Sequence, residues 1–328
     1  MSILSTGTCN ELSIDNINIL KSIGIRTVVD FLSQNPEEIS KKCFLSIKVI
    51  AVIRKALLAQ HASLVVTGSN LYAHVSQKLM ILSTGIKSID ELLSGGLLST
   101  ELTEVAGPSA SGKTQICHAV TAKTSMIFGQ CVLYISSGAD FSCERLRDLL
   151  ILNGLSEMEL PKALNQVKCV QAFDVFQLLQ ILHNLPALMH DDSTFYKHVK
   201  LVIVDSVAAV ISPIIGGKHI EGHGLMMQVA RKLKEIVEEN VAVLVTNRIV
   251  QFNNLSKPAL GTSWLHVPHT RILLTNKNQD GTASNRLKRE AMIIKSSRQV
   301  RIACLNITQL LITFTYTYKA LLKGIMKE

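Results

Sequence analysis

Aromatic residues are scarce in this chain of 328 residues, where they make up 5% of the sequence and include a single tryptophan. Proteins that stack nucleobases on a platform need several exposed aromatic side chains. The composition therefore argues against such a platform and favours aliphatic packing of the kind found around sheets. Hydrophobic residues reach 47%, so the chain can bury a sizeable core. Its length suits one large α/β domain with a small companion domain.

Paired cysteines are also missing. The chain has seven cysteines, an odd number, and no two of them form a C-x-x-C pair. Disulfide frameworks use even sets of cysteines, and structural zinc sites use closely spaced ligands. The pattern favours free thiols in a reducing compartment. The first residues lack a basic stretch followed by a long apolar run, so we expect a cytosolic or nuclear protein.

Positive charge is unevenly distributed. The formal net charge is +9, and the window from Arg271 to Arg301 holds eight Lys or Arg against two acids, a local charge of +6. A basic excess favours an anionic partner such as nucleic acid or a membrane surface. A solvated edge of the fold explains the same window, and the sequence leaves both interpretations open.

Residues 1–60 have the apolar spacing of a small helical domain. The predicted helices run from Asp15 to Ile23, Thr27 to Ser33, Pro36 to Cys43 and Ser46 to Gln60. The turn from Leu20 to Thr27, with Gly24 at its bend, is interpreted either as an ordinary helical turn or as a helix-hairpin-helix turn. The second interpretation would leave backbone N–H groups free to meet a phosphate. Residues 61–80 show no strong period and are predicted to be a linker.

Residues 81–299 alternate strand-length apolar runs with helical stretches. This alternation predicts a mostly parallel sheet covered by helices on both faces. The predicted strands are Leu102–Ala106, Cys131–Ser136, Val167–Gln171, Val199–Asp205, Val241–Thr246, Arg271–Thr275 and Ala291–Ile294. The predicted helices are Lys113–Ile127, Cys143–Leu152, Asp174–Met189 and Leu225–Glu238.

The tail, residues 300–328, is atypical. The stretch from Ile302 to Tyr318 has no charged residue, which raises the question of a membrane anchor. It is short for a bilayer span and contains several polar residues. Edge strands or a poorly defined tail are therefore favoured, and no membrane association is expected.

A complete G-x-x-x-x-G-K-[ST] motif lies between a predicted strand and a predicted helix, the context that a P-loop requires. Its residues are Gly107, Pro108, Ser109, Ala110, Ser111, Gly112, Lys113 and Thr114. The two glycines let the backbone wrap a phosphate closely, and the helix end adds positive potential. Lys113 is predicted to reach the β- and γ-phosphates of ATP, and Thr114 is predicted to offer its hydroxyl to Mg²⁺.

A second element of a nucleotide site is the apolar strand that ends in Asp205. A buried strand ending in Asp is the Walker B pattern, whose carboxylate reaches Mg²⁺, usually through water. A plain parallel strand with a capping Asp is the alternative. The complete P-loop upstream favours the metal role.

These motifs and their neighbours resemble the RecA/Rad recombinase family, and most closely the D-type branch of its eukaryotic DNA-repair paralogues. The resemblance covers roughly residues 1–299. It depends on the segments Leu82–Leu97, Gly112–Cys117, Asp205–Ala209, Val245–Asn247, Lys257–Trp264 and Lys295–Gln299. It implies an α/β fold with a RecA-like P-loop core, preceded by a small all-α domain.

Two departures from the family pattern bear on activity. The family places a water-activating Glu where this chain has Gly138. Loss of a general base lowers the rate of hydrolysis by ~10²–10⁴-fold. The family also places a γ-phosphate-sensing Gln where this chain has Arg248. Both changes imply a slow ATPase in which no catalytic residue is assigned and nucleotide mainly fixes the conformation of the protein.

The resemblance also implies partners and a location. These are the B-type, C-type and small XRCC-type paralogues in a heteromeric complex, single-stranded or branched DNA, and the nucleus. The segments that would face DNA are Ser212–Gly224 and Val250–Ser263, and the candidate contacts are Lys218, Arg248 and Lys257. Two alternatives stay open: an autonomous DNA-stimulated strand-exchange recombinase, and a pure scaffold with a relic P-loop.

Overall fold

The chain forms two compact units, Met1–His74 and Val75–Glu328. The computed structural model describes residues 4, 9, 11–61, 67–138, 140–189, 195–215, 220–252, 255–276, 289–298 and 304–307.

The first unit contains four short helices between residues 14 and 61. They are α1 (Ile14–Ser22), α2 (Val28–Ser33), α3 (Pro36–Cys43) and α4 (Ile47–His61). Local capping sets their starts: Ser13 caps α1, and Thr27 forms a capping box with Asp30 at α2. Asn35 caps α3, whose first residue is proline. The four predicted helices are confirmed to within about two residues at each end.

The turn after α1 does not offer amides to a phosphate. The N–H groups of Ile23 and Ile25 donate to the Leu20 carbonyl, and that of Gly24 donates to the Lys21 carbonyl. The next two amides both donate to the Asp30 carboxylate. Every N–H from residue 23 to residue 27 is therefore used within the chain, and a carboxylate lies beside the turn. The amides that the helix-hairpin-helix interpretation needs thus have partners in the chain, and contact of this turn with a phosphate stays a prediction.

Part of the stretch predicted to be a linker is helical. Helix α5 (Gly68–Lys78) carries exposed apolar side chains, among them Leu71, Tyr72 and Val75. A weak apolar stripe among polar residues did not stand out as a helix in the sequence.

The second unit is built on a large sheet and a separate two-stranded one. The small sheet pairs β1 (Ile81–Leu82) with β2 (Leu97–Leu98). The strands of the large sheet are β3 (Leu102–Gly107), β4 (Cys131–Ser136), β5 (Val167–Gln171), β6 (Val199–Asp205), β7 (Ala242–Phe252), β8 (Leu255–Pro258), β9 (Thr270–Asn276), β10 (Arg289–Lys295) and β11 (Cys304–Ile307). Their order is β11-β10-β9-β3-β7-β6-β4-β5, and β8 pairs with β7 outside this path.

The six strands from β9 to β5 in this order are mutually parallel. Strands β8, β10 and β11 pair antiparallel with their neighbours. The predicted mostly parallel sheet is thus confirmed. The predicted strands also occur in the structure, several of them one to three residues longer and β7 six residues longer at its carboxyl end.

Helices cover both faces of this sheet. They are α6 (Lys87–Leu92), α7 (Lys113–Ser125), α8 (Cys143–Leu152), α9 (Leu160–Asn165), α10 (Val175–Met189), α11 (Val207–Ile215), α12 (Ile220–Glu238) and α13 (Gly261–Trp264). Alternate residues of β4 enter opposite cores: Leu133 and Ile135 pack on the α10–α12 face, and Val132 and Tyr134 pack on the α6–α7 face. Burial on both faces of the sheet explains why the sequences of these strands are continuous apolar runs.

The two segments predicted to be DNA-facing loops are more regular than expected. Residues 212–215 end α11, and α12 begins at Ile220 in spite of Gly222 and Gly224. Residues 250–252 continue β7, which pairs back with β8, and residues 261–264 form α13. These parts of the two segments therefore have regular secondary structure, and their contact with DNA stays a prediction.

In the tail, Cys304–Ile307 forms an edge strand against β10. This agrees with the prediction of an edge strand, and the rest of residues 300–328 lies outside the described residues. Within the described part of the chain, no helix has the length and apolar character needed to cross a membrane.

Two phenylalanines of the first unit provide a matched test of its core. Phe31 is fully buried, whereas Phe44 is 95% exposed. In the fragment 1–66, Phe31→Ala should lower the free energy of unfolding by about 3–5 kcal/mol, because it removes a buried ring. Phe44→Ala should change it by roughly 0.5 kcal/mol or less. Urea unfolding followed by circular dichroism measures both, and equal effects would contradict the described core.

Candidate nucleotide-binding site

The P-loop joins the end of β3 to the start of α7, as the sequence predicts. Ala110 and Gly112 adopt left-handed backbone angles, with φ of 59° and 101°, and so turn the chain back toward the helix. A Cβ on Gly107 would lie 2.6 Å from the Ser111 hydroxyl and 2.9 Å from the Leu274 carbonyl oxygen. Only glycine fits at this position, because the loop packs directly against β9.

Lys113 lies folded on this loop. Its ammonium donates to the carbonyl oxygens of Gly107, at 3.0 Å, and Pro108, at 2.7 Å. Burial lowers the pKa of Lys113; Asp205 acts to raise it, and Arg248 lowers it further. A phosphate would add the negative charge that favours the protonated amine. The Ser111 hydroxyl is fully buried and has no hydrogen-bond partner among the described residues, which also suits an anion in this cradle.

Asp205 lies at the same edge of the sheet. The register pairs Gly107 of β3 with Arg248 of β7, and Ser136 of β4 with Asp205 of β6. Parallel strands bring their carboxyl ends to one edge, so the phosphate loop, Arg248 and the Walker B aspartate meet there.

Two hydroxyl groups hold the buried Asp205 carboxylate. Tyr134 donates to Oδ2 at 2.8 Å, and Thr246 donates to Oδ1. Burial is the main cause that raises the pKa of Tyr134 far above its ordinary value, so this phenol stays protonated and acts as the donor. Neither residue was recognised in the sequence as part of the site.

The residues at this edge fit Mg²⁺. A threonine hydroxyl, Thr114, and a carboxylate, Asp205, are the oxygen ligands that this ion takes together with nucleotide phosphates and water. The described part of the chain contains no cluster of three or more His, Cys, Asp or Glu side chains able to hold a metal alone. An Mg²⁺ ion held by Thr114 and Asp205 together with a nucleotide would neutralise phosphate charge there.

His118 connects the phosphate helix to the segment after β4. Its Nδ1 lies 2.9 Å from the Thr114 carbonyl oxygen, and its Nε2 lies 3.2 Å from the Ser142 amide nitrogen. The carbonyl can only accept and the amide can only donate, so the ring is neutral with its proton on Nδ1. Burial lowers the pKa of His118, and Phe141 stacks on it at 5.3 Å between ring centroids.

Glu104 forms a buried hub in the middle of β3. One carboxylate oxygen accepts from Asn247 of β7, the residue directly before Arg248, and from the Trp264 indole at 3.2 Å. The other accepts from the Arg271 guanidinium. Both charged side chains are almost completely buried. This network joins β3 to β7, β9 and α13.

The basic window is therefore not simply a solvated edge. Arg271 lies in the core, and the Lys295 ammonium donates to the Leu265 carbonyl at 3.0 Å. Arg298 pairs with Glu101 at 3.0 Å. These three cations stabilise the fold, which leaves a smaller excess for any anionic partner.

Gly138 follows β4 next to Asp205. The amide of the preceding Ser137 donates to the Asp205 carbonyl at 2.8 Å, and the Gly138 carbonyl accepts from the Ser136 hydroxyl at 2.6 Å. The segment that begins at Ser137 is thus bonded to the backbone at the end of β6, and residue 138 has no side chain.

The three candidate DNA contacts lie in different situations. Arg248 is exposed and adjacent to the P-loop strand. The backbone of Lys257 pairs with Val250 in the β7–β8 hairpin, and Lys218 lies outside the described residues. Contact with DNA stays a prediction for all three.

Comparison with known proteins gives matches over both units. A family model described as Rad51 matches residues 75–287, and a model described as the RAD51D N-terminal domain matches residues 1–60. The chain is 42% identical over 286 residues to the DNA repair protein RAD51 homolog 4 of Bos taurus, which covers 86% of this chain and 88% of the relative. It is 39% identical over 303 residues to the Mus musculus protein of the same name, with 91% and 92% covered. A probable DNA repair protein RAD51 homolog 4 of Dictyostelium discoideum is 28% identical over 324 residues.

The lack of space at Gly107 gives a test of the phosphate loop. Gly107→Ala should abolish tight ATP binding, because its methyl group would displace Ser111 or the Leu274 backbone. Gly68→Ala is the matched control, since an added Cβ there meets nothing within 4 Å. Titration with a fluorescent ATP analogue measures both variants. Undiminished binding by Gly107→Ala would contradict the described loop.

Because His118 is buried and neutral, we expect the free energy of unfolding of the second unit to depend on pH. Since its pKa in the folded state lies below the unfolded value of about 6.5, the unfolded chain binds more protons as pH falls from about 7 to 5. The free energy of unfolding should therefore decrease over this range. His118→Gln, whose amide can still donate and accept, should show a shallower decrease. Fluorescence of the single tryptophan, buried Trp264, follows unfolding, and equal slopes would contradict the assignment.

Proposed function

Because this chain belongs to the Rad51 family of DNA-repair and recombination proteins, we propose that it is an ATP-binding recombinase paralogue that acts as an assembly factor. In homologous recombination repair it joins a heteromeric paralogue complex, binds single-stranded or branched DNA and assists recombinase filament assembly. The match of residues 1–60 to the RAD51D N-terminal domain agrees with the predicted D-type resemblance.

One observation carries this proposal: the site has the groups that hold Mg·ATP but lacks a carboxylate at residue 138. Lys113 lies folded on the P-loop, Thr114 follows it in the first turn of α7, and Asp205 ends the parallel strand β6. The left-handed angles of Ala110 and Gly112 supply the backbone turn. A protein so equipped binds nucleotide and turns it over slowly. Nucleotide then acts as a structural ligand that stabilises one conformation by binding to it.

Arg248 supports the same view. It lies beside Gly107 and is exposed, so its guanidinium can meet the terminal phosphate directly. A neutral amide at that position would relay a hydrogen bond, whereas a guanidinium forms a strong, fixed charge pair. We therefore interpret Arg248 as an anchor for nucleotide, and its contact with DNA stays a prediction.

The two alternatives are less well supported. An autonomous DNA-stimulated recombinase needs fast hydrolysis, which Gly138 disfavours. A pure scaffold with a relic P-loop has no need to keep the lysine, threonine, aspartate and both glycines in working geometry. An ATP-binding assay distinguishes the scaffold, which would not bind ATP, from the assembly factor, which would. An ATP-turnover assay distinguishes the recombinase, which would hydrolyse ATP fast, from the assembly factor.

The partners proposed are the B-type, C-type and small XRCC-type paralogues, and the proposed location is the nucleus. Exposed Leu71, Tyr72 and Val75 on α5 support a protein partner, because an apolar group on an exposed helix is suited to burial in an interface. The remaining positive charge of the chain supports contact with DNA.

Lys113→Ala tests the nucleotide part of the proposal. Loss of a charge-assisted contact worth about 1.5–3 kcal/mol should weaken ATP binding by ~10–100-fold. Lys123→Ala, on the same helix, is the control and should bind as the wild type does. Equal affinities of the Lys113 variant and the wild type would contradict an ATP site here.

Affinity capture of the tagged chain from cells, followed by mass spectrometry, tests the partner proposal. The wild type and Lys123→Ala should both recover other recombinase paralogues. Recovery of none of them would contradict the heteromeric complex, whatever the nucleotide affinity.

A further inference from the structure

One arginine of the basic window, Arg289, lies at the nucleotide edge of the sheet. It is the first residue of β10 and pairs with Asn276, the last residue of β9. Since β9 runs parallel to β3, its carboxyl end lies at the same edge as the P-loop. The antiparallel strand β10 therefore begins where the parallel strands end. In the strand order it lies on the other side of β3 from Arg248 of β7.

The side chain of Arg289 reaches the P-loop itself. Its Nη2 donates to the Ala110 carbonyl oxygen at 3.4 Å. Ala110 has a φ of 59°, a left-handed angle that is unfavourable for a residue with a Cβ. A hydrogen bond to this carbonyl therefore stabilises a turn that Ala110 does not favour by itself.

The direction of this contact matters for phosphate binding. A trans peptide points its C=O and its N–H to opposite sides, so the Ser111 N–H faces away from Arg289. That N–H donates to the Pro108 carbonyl at 3.3 Å, and the Lys113 ammonium donates to the same oxygen at 2.7 Å. Arg289 thus keeps an amide of the loop turned to the side on which Lys113 lies, and P-loop amides on that side are the groups that hold phosphate.

We propose that Arg289 is a positioning residue of the ATP site, a role that rests on the proposed ATP binding. It holds the P-loop in the conformation that binds phosphate, and it adds positive charge beside the phosphates. The side chain is partly exposed, so water and salt screen its charge, and its effect is smaller than that of Lys113. Because Coulomb attraction grows with the charge of the ligand, ATP gains more from Arg289 than ADP does.

The test measures the affinities of the full-length wild type, Arg289→Ala and Arg289→Lys for ATP and for ADP. Arg289→Ala should weaken ATP binding by ~3–5-fold and ADP binding by less. Arg289→Lys should bind ATP within about twofold of the wild type, since an ammonium keeps the charge and one contact to a carbonyl does not need a planar guanidinium. Arg231→Ala, which removes an exposed arginine of α12, is the matched control and should leave both affinities unchanged.

The outcomes separate this role from the proposed function. If the wild type binds ATP and Arg289→Ala binds it equally well, Arg289 does not position the loop. Equal weakening of ATP and ADP binding, or no recovery in Arg289→Lys, would also overturn the role, because a loop that is merely disturbed by the substitution loses both ligands alike. Failure of the wild type to bind ATP would instead overturn the proposed function from which the role follows.

Discussion

The site depends on the contacts of one buried carboxylate, that of Glu104 in the strand that leads to the P-loop. Its carboxylate accepts hydrogen bonds from Asn247 of β7, Trp264 of α13 and Arg271 of β9. Removal of one partner from such a buried pair leaves an uncompensated charge and costs several kcal/mol, roughly 3–5. The network therefore fixes the neighbours of β3 before any nucleotide binds, and it sets the position of the P-loop relative to Arg248.

The second constraint is the parallel sheet itself. Because β3, β7, β6 and β4 run in the same direction, their carboxyl ends bring the P-loop, Arg248, Asp205 and the segment after Ser136 to one edge of the sheet. Tyr134 and Thr246 then hold the Asp205 carboxylate from the two flanking strands. Rigid positioning of this kind is what electrostatic stabilisation of a phosphate requires.

The sequence predicted the parts of this site that are recognisable from residues close together in the chain. The P-loop and Asp205 were found because a motif follows or ends an apolar strand, and the sheet was found because its strands are buried on both faces. The supporting residues could not be found in that way. Tyr134 meets Asp205 across 71 residues, and Arg271 meets Glu104 across 167, so only the folded chain shows these contacts. The sequence also did not show that the amides of Arg26 and Thr27, which follow the turn at Gly24, donate to Asp30.

The central claim is that Asp205 and the P-loop form one Mg·ATP site. Its most direct test is the affinity for ATP measured with and without Mg²⁺ in the wild type and in Asp205→Asn, which keeps the shape of the side chain and removes its charge. The account predicts that Mg²⁺ strengthens ATP binding by the wild type, and that Asp205→Asn loses most of this increase while it keeps the affinity seen without metal. An equal increase in both proteins would contradict the account.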